Sequence, residues 1–222
     1  MTKSQKAEEG ASTRNAILDA TEQIMLEQGY AAVSSRKVSS EAGLKSQLLH
    51  YYFRTMDDLF IAVFQRMEDK FDERFARAVA SEHPVRELWK LNMDAASTGL
   101  IHEFKALATH RKAIRAMIAR SAKQDRGVHA AALSEILQRR GAGPDDPSPT
   151  VLALLMASVA RTLVTERALG VSDGHAEMVA YVERQLSRLE SPPSAEPVSD
   201  RPTSGDAPPP RTRKGAGRTP AG

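Results

Sequence analysis

The 222-residue chain has no cysteine. That excludes disulfides, thiolate metal sites and cysteine nucleophiles together, and it suits a reducing cytoplasm. Aromatic residues make up only 5%. Ala, Leu, Arg and Glu dominate instead, which favours helix over sheet. The opening stretch MTKSQKAEEGAST lacks the apolar core of a secretory signal. The longest uninterrupted apolar run, residues 151–157, is too short to cross a bilayer. There is no phosphate-cradling glycine loop, no G-x-S-x-G elbow and no H-E-x-x-H pair. None of the six histidines (50, 83, 102, 110, 129 and 175) forms a close ligand pair on one helical turn. The expectation is a cytoplasmic protein that is not an enzyme and uses no metal or cofactor. Charge of one sign is also scarce. The net value of +3 permits nucleic-acid binding without arguing for it.

What is present is helical periodicity. Residues 1–11 are polar and aperiodic and read as a flexible arm. From Ser12 to about Glu190 apolar residues recur at three and four, and no sustained strand alternation appears. The first helix is expected from about Thr13 to Gln28, with Gly29 as its stop. Two short helices follow near Ser35–Ala42 and Ser46–Phe53. Thr55-Met-Asp-Asp58 has the spacing of a capping box and opens a long helix carrying Phe60, Val63, Phe64, Met67, Phe71 and Phe75. Pro84 starts a helix to about Ser97, with others near 101–109 and 111–140. Ser148-Pro149 caps a helix to about Leu169, and the last runs from Asp173 to about Leu189. Residues 191–222 hold eight of the twelve prolines and too few apolar side chains to offset ordering, so that tail is expected to be disordered. Its basic RTRKGAGR segment suits either loose DNA contact or solubility.

The segment SSRKVSSEAGLKSQLLHYYF, residues 34–53, concentrates the functional signal. Ser39 lies four residues before Gly43. Val38, Leu44, Leu49 and Tyr52 fall where they would pack a pair of short helices against Ile17 and Ile24. Small residue, turn glycine and apolar lock suit a helix-turn-helix, and an ordinary helical hairpin would satisfy the same spacing.

The surroundings add a resemblance. Thr13-Arg14, Ile17-Leu18-Asp19-Ala20, Gly29-Tyr30, Ser34, Arg36, Val38 and Ala42-Gly43-Leu44 resemble the TetR-family DNA-binding domain. Leu49, Tyr52-Phe53 and Asp58-Leu59 continue the match, which covers residues 13–64. The resemblance implies an all-α protein, with an N-terminal three-helix helix-turn-helix domain (12–56) and a six-helix C-terminal regulatory and dimerisation domain (57–190). It implies a transcriptional regulator, most simply a ligand-responsive repressor binding a double-stranded DNA operator as a homodimer. By the same resemblance Ser34 and Arg36 meet phosphate or base, Ser46, Gln47 and Leu48 face the groove, and His50 and Tyr51 reach the backbone. Gln47 is the strongest base reader on chemistry, since its amide can pair bidentately with adenine. The chain departs from the family where a serine cap is common (Lys45), where a small residue is common (Gln47), and where a phosphate-binding lysine is common (Met56). Arg54 is placed to compensate, and Ser46 to take over the capping. Residues 1–56 carry a net charge of only +1, so binding has to rest on the placement of Lys45, Arg36, Arg14 and Lys37.

In the C-terminal half VLALLMASVA, residues 151–160, is apolar on every face and needs cover on all sides. The final helix carries Met178, Val179, Tyr181, Val182, Leu186 and Leu189, more than one face requires. The helices at 148–169 and 173–189 are therefore the expected dimer interface, the alternative being two internal helices of a monomer. For a small-molecule effector the candidate lining is Trp89, Asn92, Met93, Phe104, Met117, Met156 and Arg161. Asn92 needs a backbone, water or ligand partner, and methionines at helical spacing also serve as plain core. Arg161 suits a ligand anion or a salt bridge. The competing function is a dimeric, ligand-independent DNA-binding or architectural protein.

Overall fold

The computed structural model describes residues 3–139, 141 and 146–190. The tail expectation, and most of the loop after Gly141, lie outside them. The described residues form nine α-helices and no strand: α1 (Lys3–Gln28), α2 (Ser35–Glu41), α3 (Ser46–Tyr52), α4 (Met56–Val79), α5 (Pro84–Asn92), α6 (Ala95–His110), α7 (Lys112–Arg139), α8 (Pro149–Ala168) and α9 (His175–Glu190). A short 3-10 turn, Tyr30–Ala32, follows α1.

Several boundaries follow from the expected caps. The Asp58 amide donates to Thr55 Oγ1 at 3.1 Å, and the Thr55 amide donates back to Asp58 Oδ2 at 2.9 Å, completing the box that opens α4. Ser148 accepts the Val151 amide at 3.3 Å and Pro149 fills the first turn of α8. Two boundaries differ. The expected flexible arm is helical from Lys3 onward, a continuation of α1 through mostly good helix formers. Gly10 there lies against Tyr52, whose hydroxyl would stand 3.5 Å from an added Cβ. The expected helix to Ser97 stops at Asn92, because Asp94 accepts the amides of Ala96 and Ser97 at 3.0 and 3.3 Å and so begins α6 instead.

The apolar side chains collect into two clusters. The first joins Ile17, Leu18, Ile24 and Met25 of α1 to Val38, Leu49, Phe53, and Leu59, Phe60, Val63 and Phe64 of α4, and then to Leu100, Phe104, Leu107 and Ile114. The second joins Phe75 of α4 to Val85, Leu88 and Trp89, Leu133, Ile136 and Leu137, and Leu152, Met156, Ala160, Leu163, Leu186 and Leu189. At about 36 Å long, α4 enters both. The core of the N-terminal helices therefore runs past residue 56 into α4, α6 and the start of α7. Helix α8 has the length and apolarity of a membrane span, yet it packs on α7, α5 and α6 and buries Leu152, Met156, Ala160, Leu163 and Val164.

Candidate functional site

Helix α2 starts at Ser34, whose hydroxyl accepts the Lys37 amide at 3.3 Å. The chain then turns at Gly43, which has φ +65°, a conformation costly for residues with a Cβ. The Leu44 amide donates to the Ser39 carbonyl at 2.8 Å and closes the turn. Ser39 is buried at the crossing, where a larger side chain would force the helices apart. Leu49 alone is fully buried from α3, and α3 packs chiefly on α2. Apart from Tyr52, which is half-buried against the first core, the rest of α3 faces solvent.

That exposed surface carries the expected residues. Ser34, Arg36, Lys45, Ser46, Gln47, Leu48, His50 and Tyr51 are all exposed, Tyr51 at 78%. Arg36, Ser39, Ser40, Leu44, Lys45, Ser46 and Gln47 line an open groove between α2 and α3. The first-turn amides of α3 point into that region without a side-chain cap, since Lys45 at the cap position makes no such bond. Ser46 is the first residue of the helix and has not taken over the capping. Lys37 is only half exposed and its ammonium bonds the Gln28 side chain, so it is tied to α1. Met56 is partly buried and accepts the Ser35 hydroxyl at 3.4 Å, while Arg54 beside it is exposed. The Arg14 guanidinium stands 5.5 Å from the Phe53 ring centroid, an arrangement that holds it near the start of α4. Tyr51 and Tyr52 meet edge to face at 5.2 Å.

A second feature is a cavity of about 290 Å³ between the two cores, bounded by α4, α5, α6, α7 and α8. Of the seven residues expected to line it, Asn92 and Arg161 do. Asn92 Nδ2 also donates to the Leu88 carbonyl at 2.8 Å, so it already has a backbone partner. Trp89, Met93 and Met156 belong instead to the second core, and Phe104 and Met117 to the first. For these five the plain-core role wins, because their apolar surface gains more from close packing than from facing a half-polar space. The sequence reading missed the polar wall. Glu68 and Asp72 on α4, and Ser121, Asp125 and His129 on α7, repeat at intervals of four and line the cavity with Lys105. That spacing of polar residues along otherwise apolar helix faces was the available signal. Burial, followed by the charges of Asp125, Asp72 and Asp69, raises the Glu68 carboxyl from an ordinary 4.5 to about 7. Burial lowers His129, which stacks 4.2 Å from the Phe75 ring centroid.

The junction between groove and cavity is hydrogen-bonded. Glu103 of α6 accepts the Tyr30 amide at 2.7 Å, immediately after α1 ends at Gly29. Arg66 of α4 binds Asp19 and Glu22 of α1, each at 2.7 Å.

Comparison with known proteins places this arrangement. Residues 17–63 match the sequence profile described as bacterial regulatory proteins, tetR family. The HTH-type transcriptional regulator PksA of Bacillus subtilis is 30% identical over 108 residues, 45% of this chain and 53% of that protein. The fatty acid metabolism regulator protein of Bacillus subtilis is 25% identical over 71 residues, 32% of this chain and 37% of its own length. The chain thus spans about half, or less, of these curated relatives. Among solved structures, a putative TetR-family transcriptional regulator from Rhodococcus sp. superposes with TM-score 0.64 at 18% identity, covering 81% of this chain and all (100%) of that one. A putative transcriptional regulator from Saccharomonospora viridis, solved in complex with choline, has TM-score 0.61 at 18% identity, over 80% and 95% of the two chains. At such identities these structures establish the all-helical fold.

Proposed function

The chain belongs to the TetR family of bacterial regulatory proteins, and from that premise we propose that it is a cytoplasmic repressor that binds its operator as a homodimer and releases it when a small molecule fills the cavity. The observation that carries the DNA-binding part is the disposition of α3. One side chain, Leu49, anchors it, and its first turn projects Ser46, Gln47 and Leu48 beside Lys45 and Arg36. A helix held from behind with polar groups at its amino end is suited to base edges, and its free amides to phosphate. In this reading Gln47 reads a base, Lys45, Arg36 and Arg14 hold phosphate, and His50 and Tyr51 flank the backbone. Ser34 is a cap first and a phosphate contact second, and Lys37 contributes little while bonded to Gln28.

Two further observations support the dimer and the effector. Val151, Leu154 and Leu155 of α8 and Met178 and Tyr181 of α9 remain exposed, Leu155 at 52% and Tyr181 at 53%. Apolar stripes on two outer helices are the surface a second copy would cover, and two reading heads gain affinity from engaging two half-sites. The unfilled space between the cores favours a sensor over a protein whose C-terminal half only dimerises.

The test is fluorescence anisotropy on an operator found by genomic footprinting, with a scrambled duplex, across a salt series. Gln47→Ala is expected to cost about 1–3 kcal/mol on the operator and much less on the scrambled duplex. Lys45→Ala is expected to weaken both together and lower the salt slope by about one. Equal losses on both duplexes for Gln47→Ala would remove sequence reading from α3.

A further inference from the structure

Six charged side chains line the cavity: Glu68, Asp72, Asp125, Lys105, Arg126 and Arg161. Among the described residues none of the three cations is ion-paired. Apart from Arg126 of α7, the carboxylates lie on α4 and α7 and the cations on α6 and α8. The carboxylates of α4 and α7 act on one another, as the Glu68 shift shows. Lys105 of α6 feels Arg161 of α8: burial and then the Arg161 charge lower the Lys105 ammonium. Their field reaches His102, lowered by burial and then by Lys105 and Arg161. Both cations stay open to solvent at the cavity rim. The apolar part of the wall includes Phe64, Met67, Ile101 and Ile118.

Two cations held together without a counter-ion repel each other, and that cost falls when an anion lies between them. An apolar wall leading away from them adds affinity for a hydrocarbon body. The three carboxylates of α4 and α7 outnumber Arg126 and oppose a second anion. We propose that this cavity binds a small organic monoanion, a carboxylate held between Lys105 and Arg161 with its apolar body along Phe64, Met67, Ile101 and Ile118. The inference rests on the effector reading above, and it names the chemical class that the cavity selects. The volume of about 290 Å³ sits at the lower edge of ordinary ligand sites and suits a body of one ring and a short chain.

The experiment is calorimetric titration of the full chain, without DNA, using phenylbutanoate, phenylbutanamide, phenylbutylamine and carboxyphenylbutanoate. Phenylbutanoate is expected to bind saturably, one per chain, with the amide and the amine at least about tenfold weaker and the dicarboxylate no tighter than the monoanion. Lys105→Gln and Arg161→Gln are each expected to weaken phenylbutanoate about tenfold, with melting temperature and light scattering showing an intact fold and assembly. The proposal is overturned by an amide or amine that binds as tightly as the acid, by a tighter dicarboxylate, by affinity indifferent to both substitutions, or by no saturable binding of the acid. Operator binding is then measured with the acid bound. A complex that ignores a bound acid counts against the effector reading and leaves the site intact.

Discussion

The reading head and the α8–α9 face dispose their apolar residues in opposite ways. In the head, Ile17, Leu18, Ile24, Val38, Leu49 and Phe53 are buried within the chain. What is left outward on α3 is polar apart from Leu48 and Tyr51. On the other face, Val151, Leu154, Leu155, Met178 and Tyr181 are exposed, with Ser158 and Thr162 continuing the α8 stripe and the Arg184 guanidinium 6.0 Å from the Tyr181 ring centroid. The head is complete as a single chain, and its outward surface is chosen for a charged, hydrated partner. In the dimer proposed above, a second copy would cover the α8–α9 face.

The strongest way to break this comparison is to ask whether the two cores fold as one. Phe60→Ala in the first and Leu88→Ala in the second are each expected to cost about 2–5 kcal/mol, in a single denaturation transition followed by circular dichroism and by the fluorescence of Trp89, the only tryptophan of the chain. Cooperativity is expected because α4 contributes to both clusters. Two separated transitions in Phe60→Ala would mean that the head melts by itself.

Next in size is the covered face. Leu155→Arg adds a charge to an exposed apolar stripe, so it is expected to leave the monomer folded while costing about a hundredfold or more in operator affinity through lost bivalency. Light scattering should report soluble monomers. Aggregation in its place would assign Leu155 to the interior, against its 52% exposure.

The cavity offers a smaller, pH-dependent effect. Glu68 titrates near 7 in the folded chain against an ordinary 4.5, so the folded state holds a proton that the unfolded state has released in that window. Its stabilising contribution is present below the window and is lost as pH rises through 7. Glu68→Gln should remove that loss, and the difference in melting temperature between variant and wild type should grow by on the order of 2 °C from pH 5 to pH 8. His129 acts in the opposite sense, since its lowered value favours the folded state as pH rises. The difference between variants isolates Glu68 from it. A pH-independent difference would place Glu68 in water.

The smallest effect belongs to the head's unexpected helix extension. Gly10→Ala adds a Cβ at ordinary contact distance, 3.5 Å, from the Tyr52 hydroxyl. A helical glycine replaced without a clash is expected to stabilise by about 0.5–1 kcal/mol. A loss of stability would show that α1 does not continue past Tyr52 in solution.

Local rules made much of this molecule readable beforehand. Thr55 and Asp58, Ser148 and Pro149, and Gly43 act over three or four residues, and each did what its chemistry requires. Of the expected α4 stripe, Phe60, Val63, Phe64 and Phe75 are buried, while Met67 and Phe71 are half-buried along the cavity, and the residues of α3 expected outward are outward. The misreadings have one source. Asp94 falls inside the expected helix to Ser97 because the apolar face of Val85, Leu88 and Trp89 continues to Ala96. Residues 3–11 looked unstructured because nothing in their own sequence reveals Tyr52 waiting beside Gly10.

The cavity shows the same limit most clearly. A helical period says which side of α5, α6 or α8 is apolar, so the chain alone specifies that Trp89, Phe104 and Met156 are hidden. It does not say from what. Burial in a close-packed cluster and burial along a cavity wall look identical in one dimension, because both require only that a face avoid water. Which of them occurs depends on how five helices meet around the junction of α4 with α6, α7 and α8. That meeting set Asn92 and Arg161 on the cavity and withdrew the methionines into the cores. It also brought Lys105 beside Arg161 across 56 residues of sequence, a pairing of like charges that no local preference would select.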